Sequence, residues 1–554
     1  MKRYIYTLAI ACFAVAAHAQ DSYSNYTMTS NADVIGSARY VGMGGAMGAL
    51  GADISAMSNN PASLGLFRKN DMSLTMGGVI QDAKPAGTDG RGHFSFDQVG
   101  FVASFPDANR ENFFNFAVNF QKKADFGRSM FVQGQNLNGL SQAAQLKGLY
   151  DYGATFVGNK YFEYSLPFRS YDANLYDITE TGKTGYHQIR SDSYDFNRYS
   201  SGNLYGLDFG FAASINNRAY LGIDFGVDFM NYESDQRYIE YRNGEYGEVE
   251  DYDIVSNKRV TGSGFNIKFG GIVRPIEDNA LKFGFAVETP TWYALTQKES
   301  FFSIASKFAY DDKTGTYDYL DNAGEYHIYD SRDDNFLEFK IHAPWKFRFS
   351  LASTVSNFLA WDVEYEYALI NHETMGYPRL DDYSGKGLSM NKDPGMSDLT
   401  RNSFNGVHNI RAGLEFKPLP EFAVRLGYNF WSKPMKTDAR LDQTVDSKAV
   451  DFLTGTDYIN LGATNMLTFG LGYRGKNFYA DFAYKYRAQK GDFYAFDDYL
   501  QRTGSTADYG QFMAAAGQRL APQSVDLSRH TTGLPSAALQ KPKASHQSSA
   551  GPLL

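Results

Sequence analysis

Along most of the chain, apolar and polar residues alternate with a period of two. In 219–230, Leu221, Ile223, Phe225, Val227 and Phe229 fall on one side, and Gly222, Asp224, Gly226 and Asp228 on the other. Successive side chains of a β-strand point to opposite faces, so this segment predicts a strand with one greasy face and one face of glycines and acids. Leu359, Trp361, Val363, Tyr365 and Tyr367 oppose Ala360, Asp362, Glu364 and Glu366 in the same way, and segments 281–289 and 478–487 repeat the pattern. Thirteen segments follow it: 71–80, 98–105, 113–122, 204–215, 219–233, 264–274, 281–289, 345–355, 358–368, 406–416, 422–431, 466–474 and 477–487. Most have roughly the 9–11 residues with which a tilted strand crosses a bilayer.

The linkers select the architecture. Six are short (106–112, 216–218, 275–280, 356–357, 417–421 and 475–476), and they alternate with long ones (81–97, 123–203, 234–263, 290–344, 369–405, 432–465 and 488–524). Short turns at one end and long loops at the other are the organisation of a transmembrane antiparallel β-barrel. Nothing in a soluble sandwich requires linker length to alternate. In hydrocarbon every backbone N–H and C=O must find a partner within the protein, so a sheet there must close on itself. With the N-terminus on the periplasmic side, the first strand runs outward and the long loops are extracellular. Trp292, Tyr293, Trp345 and Trp431 lie near segment ends, where they fit either an interfacial aromatic girdle or ordinary loops.

Composition narrows the class. The 554 residues include 43 Phe, 40 Tyr, 4 Trp and 53 Gly at a mean hydropathy of −0.42. That mixture suits half-apolar strands. Beyond the first 20 residues no apolar run approaches the roughly 18 residues of a membrane-spanning helix. The formal charge of −9 argues against a nucleic-acid partner, which requires a basic face.

The N-terminus reads as a secretory signal: Lys2 and Arg3, an apolar stretch to Ala16, then Ala17-His18-Ala19. Cleavage after Ala19 is expected, with lipid attachment at Cys12 the lesser alternative. Cleavage leaves 51 basic residues against 62 acidic ones, a balance of −11, and removes the single cysteine. Disulfides and cysteine-ligated metals are thereby excluded. The histidines form no H-E-x-x-H, and there is neither a nucleophile elbow nor a phosphate-binding loop. We therefore expect no enzymatic activity, no cofactor and no metal. The acidic stretch 330–334 reads as a solvated loop, since no calcium-loop pattern is met.

Residues 20–70 do not alternate. They are rich in Gly and Ala, with a helix start at Asp53-Ile54-Ser55 and a turn at Asn60-Pro61-Ala62. The stretch RYVGMGGAMGALGADISAMSNNPASLGLF (Arg39–Phe67) resembles the N-terminal hatch of the FadL-type outer-membrane transporters, a family that carries long-chain fatty acids and other hydrophobic compounds. The resemblance rests on Gly42–Ala52, on Asp53-Ile54-Ser55, and on Asn60-Pro61-Ala62 followed by Leu64, Leu66 and Phe67. It implies a 14-stranded barrel whose lumen is plugged by residues 20–70. It also implies hatch or gating roles for Gly42, Gly44, Gly48, Asp53, Asn60, Pro61 and Ala62. Barrel strands diverge in such families, so the resemblance transfers no ligand-contacting wall residue.

The final strand is the departure. It should begin near Ser524–Arg529, yet the last 25 residues contain no aromatic and carry Pro535, Pro542 and Pro552. The expectation is a barrel over 71–529 whose closing strand is missing or altered, as by a frameshift, followed by a disordered tail over 530–554.

Strand parity turns Lys268, Lys282, Arg348, Arg411, Arg425 and Lys485 toward the lumen, with Asp224, Asp228, Asp362, Glu364, Glu415 and Asp481. A basic group in a greasy pocket can fix a fatty carboxylate. Arg348, Arg411 and Arg425, with the hatch residues Met43, Met47, Leu50 and Met57, are the candidate ligand contacts. Mutual pairing of the charges and plain hatch–wall packing are the alternatives. The sequence thus points to a monomeric outer-membrane channel for passive uptake of hydrophobic small molecules, gated by the hatch. Its expected partners are that ligand, outer-membrane lipid and the barrel-assembly machinery. A polar-solute porin and a surface scaffold working through the loop 123–203 are the other readings.

Overall fold

The computed structural model describes residues 20–539, except for 31–32, short gaps in the loops and turns, and the longer stretches 82–90, 153–190 (Leu166, Arg169 and Ser170 apart), 320–326, 380–389 and 497–522. The expected signal peptide, the tail beyond 539 and most of the Tyr-rich part of loop 123–203 lie outside the described residues.

Fourteen wall strands follow one another in chain order: β1 (Asp71–Gln81), β2 (Arg91–Pro106), β3 (Phe113–Asp125), β4 (Ser193–Ile215), β5 (Ala219–Gly244), β6 (Gly247–Val273), β7 (Lys282–Glu288, resuming at Trp292–Ser306), β8 (Asn335–His342, resuming at Lys346–Val355), β9 (Leu359–Ala368), β10 (Val407–Leu419), β11 (Phe422–Trp431), β12 (Tyr458–Arg474), β13 (Phe478–Tyr494) and β14 (Arg529–Leu539). Each pairs antiparallel with the next. β14 returns to β1 through Gly77–Ile80 against His530–Gly533. The ladder is therefore a ring.

The two faces differ as parity requires. On β9, Asp362, Glu364 and Glu366 are at most 1% exposed, whereas Val363 and Tyr365 are 45% and 37% exposed. One outward row runs Phe285–Phe349–Tyr365–Ile410 across β7 to β10. Along β5 the outward face is apolar from Leu221 to Phe229 and then changes to Asn231, Glu233, Asp235 and Arg237. That apolar band has the length with which a tilted strand crosses hydrocarbon. Trp345 points outward at the upper edge of the band, and Trp292 stacks on Phe265 there. Trp431 and Tyr293 instead are buried on the lumen side.

Two expectations change. Much of the expected long loops is strand. β5 and β6 pair continuously to Gly244 and Gly247, so 234–263 is mostly a tall hairpin above the band. There the outer face meets water, the greasy face disappears, and the period-two signal fades although the ladder persists. The closing strand is also present: Arg529–Leu539 lies within the segment expected to be a disordered tail. The reason is that strand pairing uses backbone groups, and the exposed edges of β13 and β1 in hydrocarbon require a partner whatever its side chains. Its seam with β1 is short, only four residue pairs.

Two neighbouring strands break at one level. Thr289-Pro290-Thr291 interrupts β7 and Ala343-Pro344-Trp345 interrupts β8, between the facing pairs Lys346–Glu288 and His342–Trp292. Proline has no N–H to give to a ladder.

A charge at the band should be costly. Leu414→Arg, facing outward from the middle of β10, is expected to destabilise the folded barrel by about 2–4 kcal/mol in denaturant titrations in lipid vesicles. Arg237→Ala removes an exposed pair with Asp253 on the tall hairpin, and should cost less than about 1 kcal/mol.

Candidate functional site: the plug and the cavity beside it

Residues 20–70 fold inside the ring. Helix α1 (Gln20–Thr29) leads to the short helix α2 (Ala38–Gly42), whose cap Ser37 accepts from the Tyr40 N–H. Two 3-10 turns follow, Ile54–Ser58 and Pro61–Leu66. The Asp53 carboxylate accepts from the Ser55 N–H and the Asn60 side chain from the Ala62 N–H, with Pro61 at the first position of its turn. Asp and Asn are suited to this because their short side chains satisfy the free N–H groups that open a helix. Ser37 Oγ donates to Asp53 at 2.7 Å, joining the two ends of the plug's glycine-rich loop.

The plug docks on glycines. Gly42 lies against Gly470, and Gly44, at φ +66°, lies against Gly427 and Tyr428. Met43 covers Gly413, Leu64 and Met57 cover Gly210, and Pro61 and Ala62 cover Gly222 and Gly270. Each wall glycine is the inward residue of an alternating strand; a side chain would collide with the plug at Gly210, Gly222, Gly270, Gly413 and Gly427 and crowd it at Gly470. Polar clamps add register. Arg39 Nε donates to Glu415 at 2.8 Å, Asp362 accepts from the N–H groups of Ala49 and Leu50, and Lys485 binds Asp33. Asn60 Nδ2 donates to the Gly48 carbonyl at 3.0 Å.

The hatch residues read from the sequence (Gly42, Gly44, Gly48, Asp53, Asn60, Pro61 and Ala62) therefore come together in the folding and docking of the plug. Met43, Met47 and Met57 are fully buried and Leu50 nearly so. They pack within the plug or against the wall, and none lines the cavity described next. Arg425 is held by Glu415 at 2.7 Å and by Asp481, also away from that cavity. Arg348 and Arg411 do line it.

The cavity holds about 130 Å³ on the long-loop side of the plug. Met28, Thr29, Ser30, Ile35 and Tyr40 contribute from the plug, and β3, β5, β6, β7, β8, β9 and β10 contribute charged side chains. Arg348 donates to Glu288 at 2.7 Å and to Glu366, Arg411 to Glu364 and Glu366, and Lys122 to Asp125 at 3.0 Å. Lys268 donates to Asp224 at 2.7 Å and Asp208 at 3.1 Å. The inward charges thus pair with one another, which is how buried ions are tolerated. Leu204, Tyr293 and Trp431 supply apolar surface. Sequence reading missed Lys122, Glu366, Trp431 and the whole contribution of α1. Parity did turn Glu366 inward, but nothing in it marks the height at which a cavity will open.

Above the cavity, α1 meets the segment between β9 and β10. Tyr26 lies on Phe404 with ring centroids 5.5 Å apart, and Asn25 Nδ2 contacts the Met375 sulfur at 3.6 Å. The Glu373 carboxyl, 4% exposed, meets the hydroxyls of Thr29 at 3.0 Å and Ser30 at 3.4 Å. Burial pushes its pKa up to about 7, against the opposing pull of those two hydrogen bonds and of Lys346. Helix α3 (Pro394–Ser403), capped by Asp393, packs over this contact.

No protein-family model matches the chain, and no curated protein matches it. Solved structures similar to it include a FadL homologue and two toluene transporters. A FadL homologue of Pseudomonas aeruginosa matches at 12% identity over 92% of this chain and 100% of its own, with a TM-score of 0.46. The toluene transporter TodX of P. putida matches at 11% over 92% and 100%, TM-score 0.42. The toluene transporter TbuX of Ralstonia pickettii matches at 12% over 92% and 98%, TM-score 0.43.

If glycine contacts seat the plug, Gly427→Val should unseat it, because a Cβ there would lie 2.2 Å from the Gly44 nitrogen. The expected cost to docking is about 1–3 kcal/mol, read as raised conductance in planar bilayers. Gly271→Ala, whose Cβ would find nothing nearer than 3.9 Å, should leave conductance unchanged.

Proposed function

We propose that this protein is a plugged outer-membrane channel for passive uptake of hydrophobic small molecules with a polar head, long-chain fatty acids being the reference cargo, and that movement of the plug opens it. The observation that carries this reading is the plug itself. Among the described residues it meets the wall glycine by glycine, with a small cavity on the long-loop side, so a solute crossing the lumen must wait on its rearrangement. The orientation that fits export and strand parity puts the long-loop end outside the cell. The Arg39–Phe67 resemblance supports the cargo class. Arg348, Arg411 and Lys346 beside Trp431, Tyr40 and Leu204 offer a carboxylate both charge-assisted donors and apolar company. Flux needs no cofactor, because a gradient and consumption inside the cell drive it. Assembly machinery, surrounding lipid and a monomeric state belong to the same reading.

One observation favours a polar solute instead: the cavity is ringed by ion pairs, and an alkyl chain laid along them would strip their remaining water. The two readings separate in vesicles. The intact protein should carry a radiolabelled long-chain fatty acid and exclude a disaccharide, and deletion of residues 21–62 should raise conductance sharply and admit the sugar. Sugar entry through the intact protein without fatty-acid transfer would establish the polar reading.

A further inference from the structure

The contact between the end of α1 and Glu373 has more places for a proton than an ionised carboxyl and two hydroxyls can fill. Thr29 Oγ1 lies 2.7 Å from the Asn25 carbonyl, 3.0 Å from Glu373 Oε2 and 3.2 Å from Ser30 Oγ. A hydroxyl has one proton to give. If it goes to the Asn25 carbonyl, the shortest of the three contacts, an ionised Glu373 keeps only the Ser30 hydroxyl at 3.4 Å. One long donor is poor compensation for a buried carboxylate. If the carboxyl is protonated, its O–H donates to Thr29, Thr29 donates to Asn25 and Ser30 gives its one proton to Thr29 or Glu373, so three of the four contacts are filled instead of two.

Among the described residues the charged and titratable neighbours are engaged elsewhere or offer no donor to this carboxyl. Lys346, which acts on Glu373 from β8, is bound to Glu288 at 3.1 Å. The Tyr293 hydroxyl on β7 donates to Asp228 at 2.9 Å. His342 pairs through the backbone with Thr374, and His372 precedes Glu373 in the chain. Among the described side chains at the end of α1, the hydroxyls of Thr29 and Ser30 face the carboxyl, with Asn25 and Tyr26 packed on Met375 and Phe404. The loop side is anchored: Thr374–Pro378 pairs with β8, and the Asp393 cap is bound by Tyr377 at 2.9 Å.

We propose that Glu373 and the Thr29–Ser30 end of α1 form a proton-operated latch between a long-end loop and the plug, closed when the carboxyl is neutral and loosened when it ionises. Met28, Thr29 and Ser30 also line the cavity. On the plugged-channel reading, on which this consequence rests, releasing them uncovers the cavity from the loop side. The sign follows from linkage. The docked carboxyl titrates near pH 7 and the released one near its ordinary 4.5, so docking is strongest below about pH 4.5 and weakens as pH rises to about 7.

The test is hydrogen exchange of the peptide covering 25–35 in the full-length protein in lipid vesicles at pH 5 and pH 8, corrected for intrinsic exchange. Protection should fall at least about tenfold from pH 5 to pH 8. Glu373→Gln, whose amide donates to Thr29 as the neutral acid does, should stay protected at both. Thr29→Val, which removes the acceptor, should be poorly protected at both. Heat-modifiable mobility in gels confirms that each variant is a folded barrel. Protection of the native protein that does not change with pH, or an equal fall in Glu373→Gln, overturns the latch. Conductance recorded on the same samples tests the channel separately: protection that falls with pH while conductance stays constant upholds the latch and removes the gated-channel reading.

Discussion

A peptide group in hydrocarbon has no water to bind, and the rest of the molecule follows from this. An open sheet would leave two bare edges in the lipid, so the fourteen strands join into a ring. Once the ring exists, strand geometry assigns every second residue to lipid and every other to the lumen. The outward row must be apolar. The inward row is free to carry charge provided the charges meet, and Arg348, Arg411, Arg425 and Lys268 each reach at least two carboxylates. Even the aromatic-free segment 529–539 is drawn into the wall, because its backbone alone meets the requirement of its neighbours.

The buried ion pairs are better understood as alignment than as a source of stability. Removing an ion from water costs several kcal/mol, which a partner roughly restores. What pairing achieves is specificity. Arg39 of the plug can settle only opposite Glu415, and Asp33 only opposite Lys485, so the plug has one register. Glycines complete the arrangement by letting backbone approach backbone where any side chain would hold them apart.

Much of the fold was legible in the residues. Period two marked the thirteen wall segments, placed the lumen charges on the correct face, and ended the short turns within a residue or two of their observed positions. The plug's caps at Asp53 and Asn60 were legible because Asp and Asn at a helix start have a local chemical reason. What stayed hidden depends on something other than local pattern. The tall hairpin of β5 and β6 stands in water and loses its greasy face. β14 pairs by backbone, which sequence does not display. The cavity forms where the plug stops filling the lumen, and α1 reaches it through contacts with Glu373, Met375 and Phe404, some 350 residues along the chain. The methionines of the plug were legible as apolar but not as packing rather than lining.

The paired interruptions at Pro290 and Pro344 have a mechanical meaning. A closed hydrogen-bonded cylinder resists bending almost equally at every height, and a strand can tilt against its neighbour only where rungs are absent. Here two adjacent strands have fewer rungs at one height, Ala343 N–H to the Thr291 carbonyl joining them across the break, where the greasy belt gives way to the tall sheet. Bending is therefore concentrated along that line, and the exposed upper wall can sway with whatever strikes it while the belt in the lipid stays round.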